Sequence, residues 1–161
     1  MNNFEKAINF IFDSEGEYCN DKADPGGETK WGIDTKSHPG IDKKSLSKEQ
    51  AESIYYHDYW LPINAEKIKW PLCLYYFDMA INQGPGIAKK TLQKSIGVDP
   101  DGIIGPVTVA AANKATDSQM TAFMTSRMQR YVLTNNFLTF GNGWINRLFN
   151  CVKFGERNND G

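Results

Sequence analysis

Apolar residues recur at helical spacing along most of this chain. Stepping about 100° per residue from Phe4 places Ala7, Ile8, Ile11 and Phe12 within one stripe about 140° wide, as in a helix that buries one face. The same spacing predicts helices at about 3–14, 47–59, 72–84, 86–96, 106–115, 118–135 and 144–154. Turn-rich segments separate them near 19–47, 61–71, 97–106 and 141–144. Ser47 ahead of Glu49 and Gln50, and Asp117 ahead of Gln119, read as capped starts. Pro71 and Pro106 suit a first helical turn, where a missing N–H costs nothing. No long alternating run marks a strand, though 19–35 has room for a short hairpin around Pro25-Gly26-Gly27. With no repeat and no linker long enough to separate a pair of domains, the chain reads as one mainly α domain over 1–161 with about seven helices.

Continuing the helical count, Glu15 lands near the middle of the apolar stripe just where Gly16 stops the helix, while Lys6, Asp13 and Glu17 point away. Desolvation there, beside the negative end of a helix, favours the protonated carboxyl. That is the state a general acid needs near neutral pH. Taken alone, Glu15 fits equally well as a polar residue that closes a helix. The segment after the helix adds a second acid: Glu15-Gly16-Glu17-Tyr18, then Asp21, then Asp24-Pro25-Gly26-Gly27-Glu28-Thr29-Lys30-Trp31-Gly32-Ile33. Glycoside hydrolysis uses two carboxyl groups across the scissile bond, one protonated and one ionised. Glu15 with Asp24 supplies such a pair if the turn-rich segment folds back, and Asp21 is the rival for the second position. Thr29 is placed to hold a water, and Tyr18 and Trp31 offer faces on which a sugar ring stacks. As a bare motif, Asp24-Pro25-Gly26-Gly27 equally makes a turn with no chemistry.

These residues resemble the signature of the glycoside hydrolase family 108 muramidases: an E-G-G-Y motif, then D-P-G-G, a Thr and an aromatic-Gly-Ile. The likeness runs on through Tyr55-Tyr56, Tyr59-Trp60, Phe77-Asp78-Met79-Ala80-Ile81-Asn82-Gln83-Gly84, Leu92-Gln93, Asp101 to Thr108 and Gly143 to Arg147. The resemblance implies a lysozyme-like fold with a cleft between an N-terminal part, 1–84, and a helical part, 86–155. It implies hydrolysis of the β-1,4 bond between N-acetylmuramic acid and N-acetylglucosamine in bacterial peptidoglycan. It also implies Glu15 as the acid. The order Glu15, Asp24, Thr29 is similar to that of phage lysozymes, which implies that Asp24 balances charge or activates a water oriented by Thr29. Two departures stand out: Glu17 replaces the second Gly of the E-G-G-Y motif, and Asp21-Lys22 replaces a common D-P.

Other constellations are weaker. Asp78 and Asn82 share a helical face beside Gln83 and have the chemistry to bond acetamido or hydroxyl groups of a glycan; they equally suit a helix end at Gly84. The run from Leu92-Gln93 to Thr108 looks like the core of peptidoglycan-binding modules, and its Gly residues equally serve a turn. Trp144 with Asn146 and Arg147 reads as packing. His38 and His57 are the only histidines, with no H-E-x-x-H or C-x-x-C, so neither a metal nor an organic cofactor is expected. A Cys19–His peptidase is a remote alternative.

Composition narrows the class. Apolar residues make up 40% and charged residues 23%, with a net charge of −1, which describes a globular chain and argues against nucleic-acid partners. The apolar N-terminal run is broken by Glu5, Lys6 and Asn9 and shows no Sec signal; cytoplasmic residence until a holin or export system gives access to the wall is expected. The odd count of three cysteines, Cys19, Cys73 and Cys151, suits reduced thiols and leaves room for one bridge. No membrane insertion is expected, and a monomer is. The rivals are a non-catalytic peptidoglycan-binding protein and a chitin-cleaving relative.

Overall fold

The computed structural model describes residues 1–15, 18–19, 29–34, 38–42 and 45–159, with backbone alone at Tyr18, Cys19, Thr29 and Asp34. Its elements run α1 (Asn3–Glu15), β1 (Tyr18–Cys19), β2 (Thr29–Lys30), β3 (Ile33–Asp34) and α2 (Lys48–Tyr55), then a π-helical turn at Tyr56–Trp60 and a 3-10 turn at Ala65–Lys67. There follow α3 (Leu72–Gln83), α4 (Pro85–Ser95), α5 (Pro106–Ala112), α6 (Asp117–Val132) and α7 (Phe137–Arg157). The fold is mainly helical, with seven α-helices among the described residues. None of these helices is long and apolar enough to cross a membrane. The chain forms two compact units, Met1–Asp58 and Tyr59–Gly161.

In the first unit α1 buries Ala7, Ile8, Ile11 and Phe12 as its stripe predicts, and Phe10 as well, so the covered face is broader than the spacing implies. Its start has a device that the apolar spacing does not show. Asn2 Oδ1 accepts from Glu5 N at 2.9 Å while Asn2 N donates to Glu5 Oε2 at 2.8 Å, the reciprocal bonding of a capping box. At α2 the expected box is present: Ser47 Oγ accepts from Gln50 N at 3.2 Å and Ser47 N donates to Gln50 Oε1 at 2.8 Å. The three strands make a small antiparallel sheet in the order β1-β2-β3, pairing Tyr18 with Lys30 and Thr29 with Asp34.

In the second unit every residue of α3 from Leu72 to Ala80 is buried, so this helix forms the centre on which α4, α6 and α7 pack. Trp60 meets Phe77 edge to face at 5.0 Å. Several sequence boundaries shift: α2 ends at Tyr55, α5 at Ala112 and α6 at Val132, each three or four residues short of the expected 59, 115 and 135. The cap of α6 is Thr116, whose hydroxyl accepts from Gln119 N at 3.3 Å, and Asp117 is instead the first helical residue. More substantially, α7 starts at Phe137 and runs through Gly141 and Gly143, where the glycines predict a turn. Packing overrides the weak glycine propensity: Gly141 is buried beneath the Phe137 ring, and Trp144 stacks on Tyr131 at 4.9 Å and 21°.

Near its other end α7 comes unusually close to the start of α3. A Cβ on Gly155 would lie 2.7 Å from Tyr75 Cε1 and 3.0 Å from Pro71 Cβ, and the Gly155 carbonyl accepts from Trp70 Nε1 at 2.7 Å. A Gly155→Ala substitution therefore overpacks this crossing, at about 1–3 kcal/mol, against a helix-propensity gain of at most about 1 kcal/mol. Thermal unfolding of the variant is expected a few degrees below wild type; an unchanged or raised midpoint would mean the helices do not approach this closely.

Candidate functional site

Glu15 is the last residue of α1 and is partly buried. Beneath its stem lies the tight connection from β2 to β3. Trp31 and Gly32 have φ of +54° and +76°, the positive pair of a type I′ hairpin turn, which follows the natural strand twist. Gly32 is required there twice over. Its backbone is left-handed, and a Cβ would fall 2.7 Å from Glu15 Cγ and 3.1 Å from Glu15 Cβ and collide with the Tyr55 hydroxyl. Tyr55 ends α2 with 1% of its surface exposed, and its hydroxyl donates to the Trp31 carbonyl at 3.1 Å. Phe12, one turn before Glu15, meets the Trp31 ring edge to face at 5.3 Å and the Tyr55 ring at 6.1 Å. Lys48 Nζ stands 5.2 Å from the Phe12 ring centroid and 5.9 Å from that of Trp31.

Gly32 is not among the residues that sequence reasoning singles out for the site, and Tyr55 enters there only within the Tyr55-Tyr56 run that carries the resemblance. The readable signal is Trp31-Gly32 flanked by Thr29-Lys30 and Ile33-Asp34, a two-residue hairpin pattern with strands too short to show alternation.

The other expected residues are placed unevenly. Trp31 is partly exposed, and its indole Nε1 is buried with no hydrogen-bond partner among the described residues. Thr29 and Tyr18 lie on β2 and β1, with Cys19 paired to Thr29, and their side chains are outside the described residues. Glu17, Asp21 and Asp24 also lie outside the described residues. Of the carboxyl pair, only Glu15 is placed. His38 Nε2 stands 3.1 Å from Asp58 Oδ2.

The row Asp78, Asn82, Gln83 lies in the second unit. Asp78 has no exposed surface. Arg147 Nη2 and Nε bond its Oδ1 at 2.7 and 3.0 Å, and Arg127 Nη2 pairs with its Oδ2. Burial alone would raise the Asp78 pKa, but the two guanidinium groups outweigh it and hold the carboxyl below its usual range. A carboxylate enclosed in this way ties α3 to α6 and α7. Asn82 is exposed, yet its Nδ2 turns back to the Asp78 carbonyl at 2.7 Å, and Gln83 Nε2 donates to the Arg127 carbonyl at 3.1 Å. Cys151 is buried beside this cluster, and desolvation pushes its thiol pKa far up.

The Gly-rich loop after α4 is organised by one amide. Gln93, 1% exposed, donates from Nε2 to Asp101 Oδ1 at 2.7 Å and to the Ile103 carbonyl at 3.1 Å, and its Oε1 accepts from Gly102 N at 2.8 Å. Backbone and side-chain donors from Ile103 and Gln93 hold the Asp101 pKa below its ordinary value. These bonds account for the Leu92-Gln93 and Asp101 to Thr108 motif as architecture. Among the described residues no group of three or more His, Cys, Asp and Glu is arranged to hold a metal ion.

Comparison with known proteins bears on both halves of the chain. The model of a family described as glycosyl hydrolase 108 matches residues 8–84, and that of a predicted peptidoglycan domain matches 87–149. The structure of SagA from Brucella abortus superposes with a TM-score of 0.86 at 30% identity, covering 98% of this chain and 96% of that one. None of the curated proteins matches the chain. The two family matches meet around Gly84, whereas the compact units divide at Asp58, so α3 carries hydrolase-type sequence yet packs as the centre of the helical unit.

Proposed function

The chain belongs to the glycosyl hydrolase 108 family, and from that premise we propose that it is a lysozyme-type N-acetylmuramidase. Its target is the β-1,4 bond between N-acetylmuramic acid and N-acetylglucosamine in peptidoglycan, and Glu15 is its general acid. The observation that carries this reading is the placement of Glu15 at the tip of α1, partly buried, with its stem seated on a glycine that tolerates no side chain. The peptidoglycan-type match over 87–149 supports the polymer as substrate.

In this mechanism Glu15 protonates the oxygen of the departing sugar as positive charge develops at the anomeric carbon. Asp24, or Asp21 in its place, stabilises that charge or draws a proton from the attacking water, with Thr29 orienting the water. Tyr18 and Trp31 flank the glycan. Two carboxyl groups and water suffice for this chemistry, so no cofactor is required. The protein acts as a monomer and meets the wall after a holin or export system gives it passage.

The test is mass spectrometry of purified peptidoglycan after digestion and borohydride reduction. Muramitol at the new ends is expected. Reduced glucosamine ends would reassign the bond. Turnover of chitin in place of peptidoglycan would favour the chitinase-like rival, and retention on the polymer without new ends would favour a binding protein.

A further inference from the structure

Three elements converge on one face of Gly32. The point where its Cβ would stand lies 2.7 Å from Glu15 Cγ on α1 and in collision with the Tyr55 hydroxyl on α2, while Gly32 itself belongs to the β2–β3 turn. The Glu15 stem and the phenol oxygen therefore share the space that a missing methyl group leaves. Tyr55 is not free to move away. Its ring is 1% exposed and lies edge-on to Phe12 at 6.1 Å, and its hydroxyl is anchored on the Trp31 carbonyl at 3.1 Å. That carbonyl belongs to a residue at φ +54°, a backbone state that a bulky side chain adopts only when its surroundings hold it there.

We propose that Tyr55 is a positioning residue for Glu15: its hydroxyl clamps the Trp31-Gly32 turn and, across Gly32, walls the Glu15 side chain into one orientation. The inference rests on the reading of Glu15 as the acid. Ground-state binding is not the function of this wall. The phenol sits behind the carboxyl's stem, so its loss loosens the aim of the proton donor more than it weakens sugar binding at the Trp31 face. Small errors in that aim are costly, because proton transfer in the transition state requires the donor within hydrogen-bonding reach of the leaving oxygen.

Tyr55→Phe removes one oxygen and keeps the ring against Phe12. With a soluble, uncrosslinked glycan strand of peptidoglycan as substrate, kcat is expected to fall about tenfold, the scale of one lost neutral hydrogen bond, with KM within about twofold. In a Glu15→Asp background, where the carboxyl is withdrawn by a methylene from the wall, the same substitution is expected to cost less than about twofold. Gly32→Ala, which intrudes on the same space, is expected to lower kcat more than Tyr55→Phe. A Tyr55→Phe enzyme with wild-type kcat, or a loss that persists undiminished in the Glu15→Asp background, overturns the proposal. Glu15→Gln is run alongside: if that variant keeps normal activity, it is the assignment of the acid that has failed, a result separable from either of those.

Discussion

Asp78→Asn is expected to lower the unfolding free energy by about 3–5 kcal/mol, the cost of leaving buried charge without its partner. The volume hardly changes, so the loss is electrostatic. Arg127 has no exposed surface, and its Nε and Nη1 have no hydrogen-bond partner among the described residues, which leaves Asp78 as its principal compensation. Arg147 bonds the same carboxylate through Nη2 and Nε. A loss of this size is a large fraction of the roughly 5–15 kcal/mol that holds a domain together. Urea unfolding at neutral pH measures it, and a midpoint within experimental scatter of wild type would show that Arg127 does not depend on this carboxylate. Acid titration gives a second readout. Asp78 titrates lower in the folded protein than in the unfolded chain, because Arg127 and Arg147 more than offset the burial that opposes its charge. Its contribution is complete above the unfolded Asp pKa of about 3.9 and is lost as pH falls through the lower folded value. The Asn variant is expected to lack that component of the acid dependence.

Glu15→Gln is expected to reduce hydrolysis of peptidoglycan by about 10²–10⁴-fold, the usual contribution of a positioned general acid. The amide keeps the size and shape that fit over Gly32, where the carboxyl stem lies 2.7 Å from the Cβ position, but its N–H groups are far too weakly acidic to protonate the leaving oxygen. Glu15 is partly exposed at a helix end, so stability is expected to stay within about 1 kcal/mol of wild type. Release of reducing ends from purified walls, followed together with thermal unfolding, separates chemistry from folding. Near-normal release would remove Glu15 from the mechanism.

Much of the helical framework is legible along the chain because its signals are local. The stripe of α1, the Ser47-to-Gln50 capping box and Pro106 at the first turn of α5 each depend on residues within a few positions of one another. The position of Glu15 on that stripe, where α1 ends, follows from the same periodicity. The start of α7 does not, because two glycines locally argue for a turn and it is packing of Trp144 onto Tyr131 of α6 that favours the helix. Nor does the Trp31-Gly32 turn, whose strands are two residues long and leave no alternation to read.

By itself, then, the order of residues determined where most helices start, which face of α1 is apolar and which carboxylate stands at its tip. Tertiary structure alone decided what the polar groups beyond the helix caps face. Asp78 shares a helix face with Asn82, and spacing cannot show that this face meets guanidinium groups from α6 and α7, the second of them 69 residues further along. Likewise, nothing near Tyr55 in the chain indicates that its hydroxyl meets the turn 24 residues earlier. Periodicity reports which side of an element is buried, whereas the identity of the partner is set by chain segments that packing brings together from far apart.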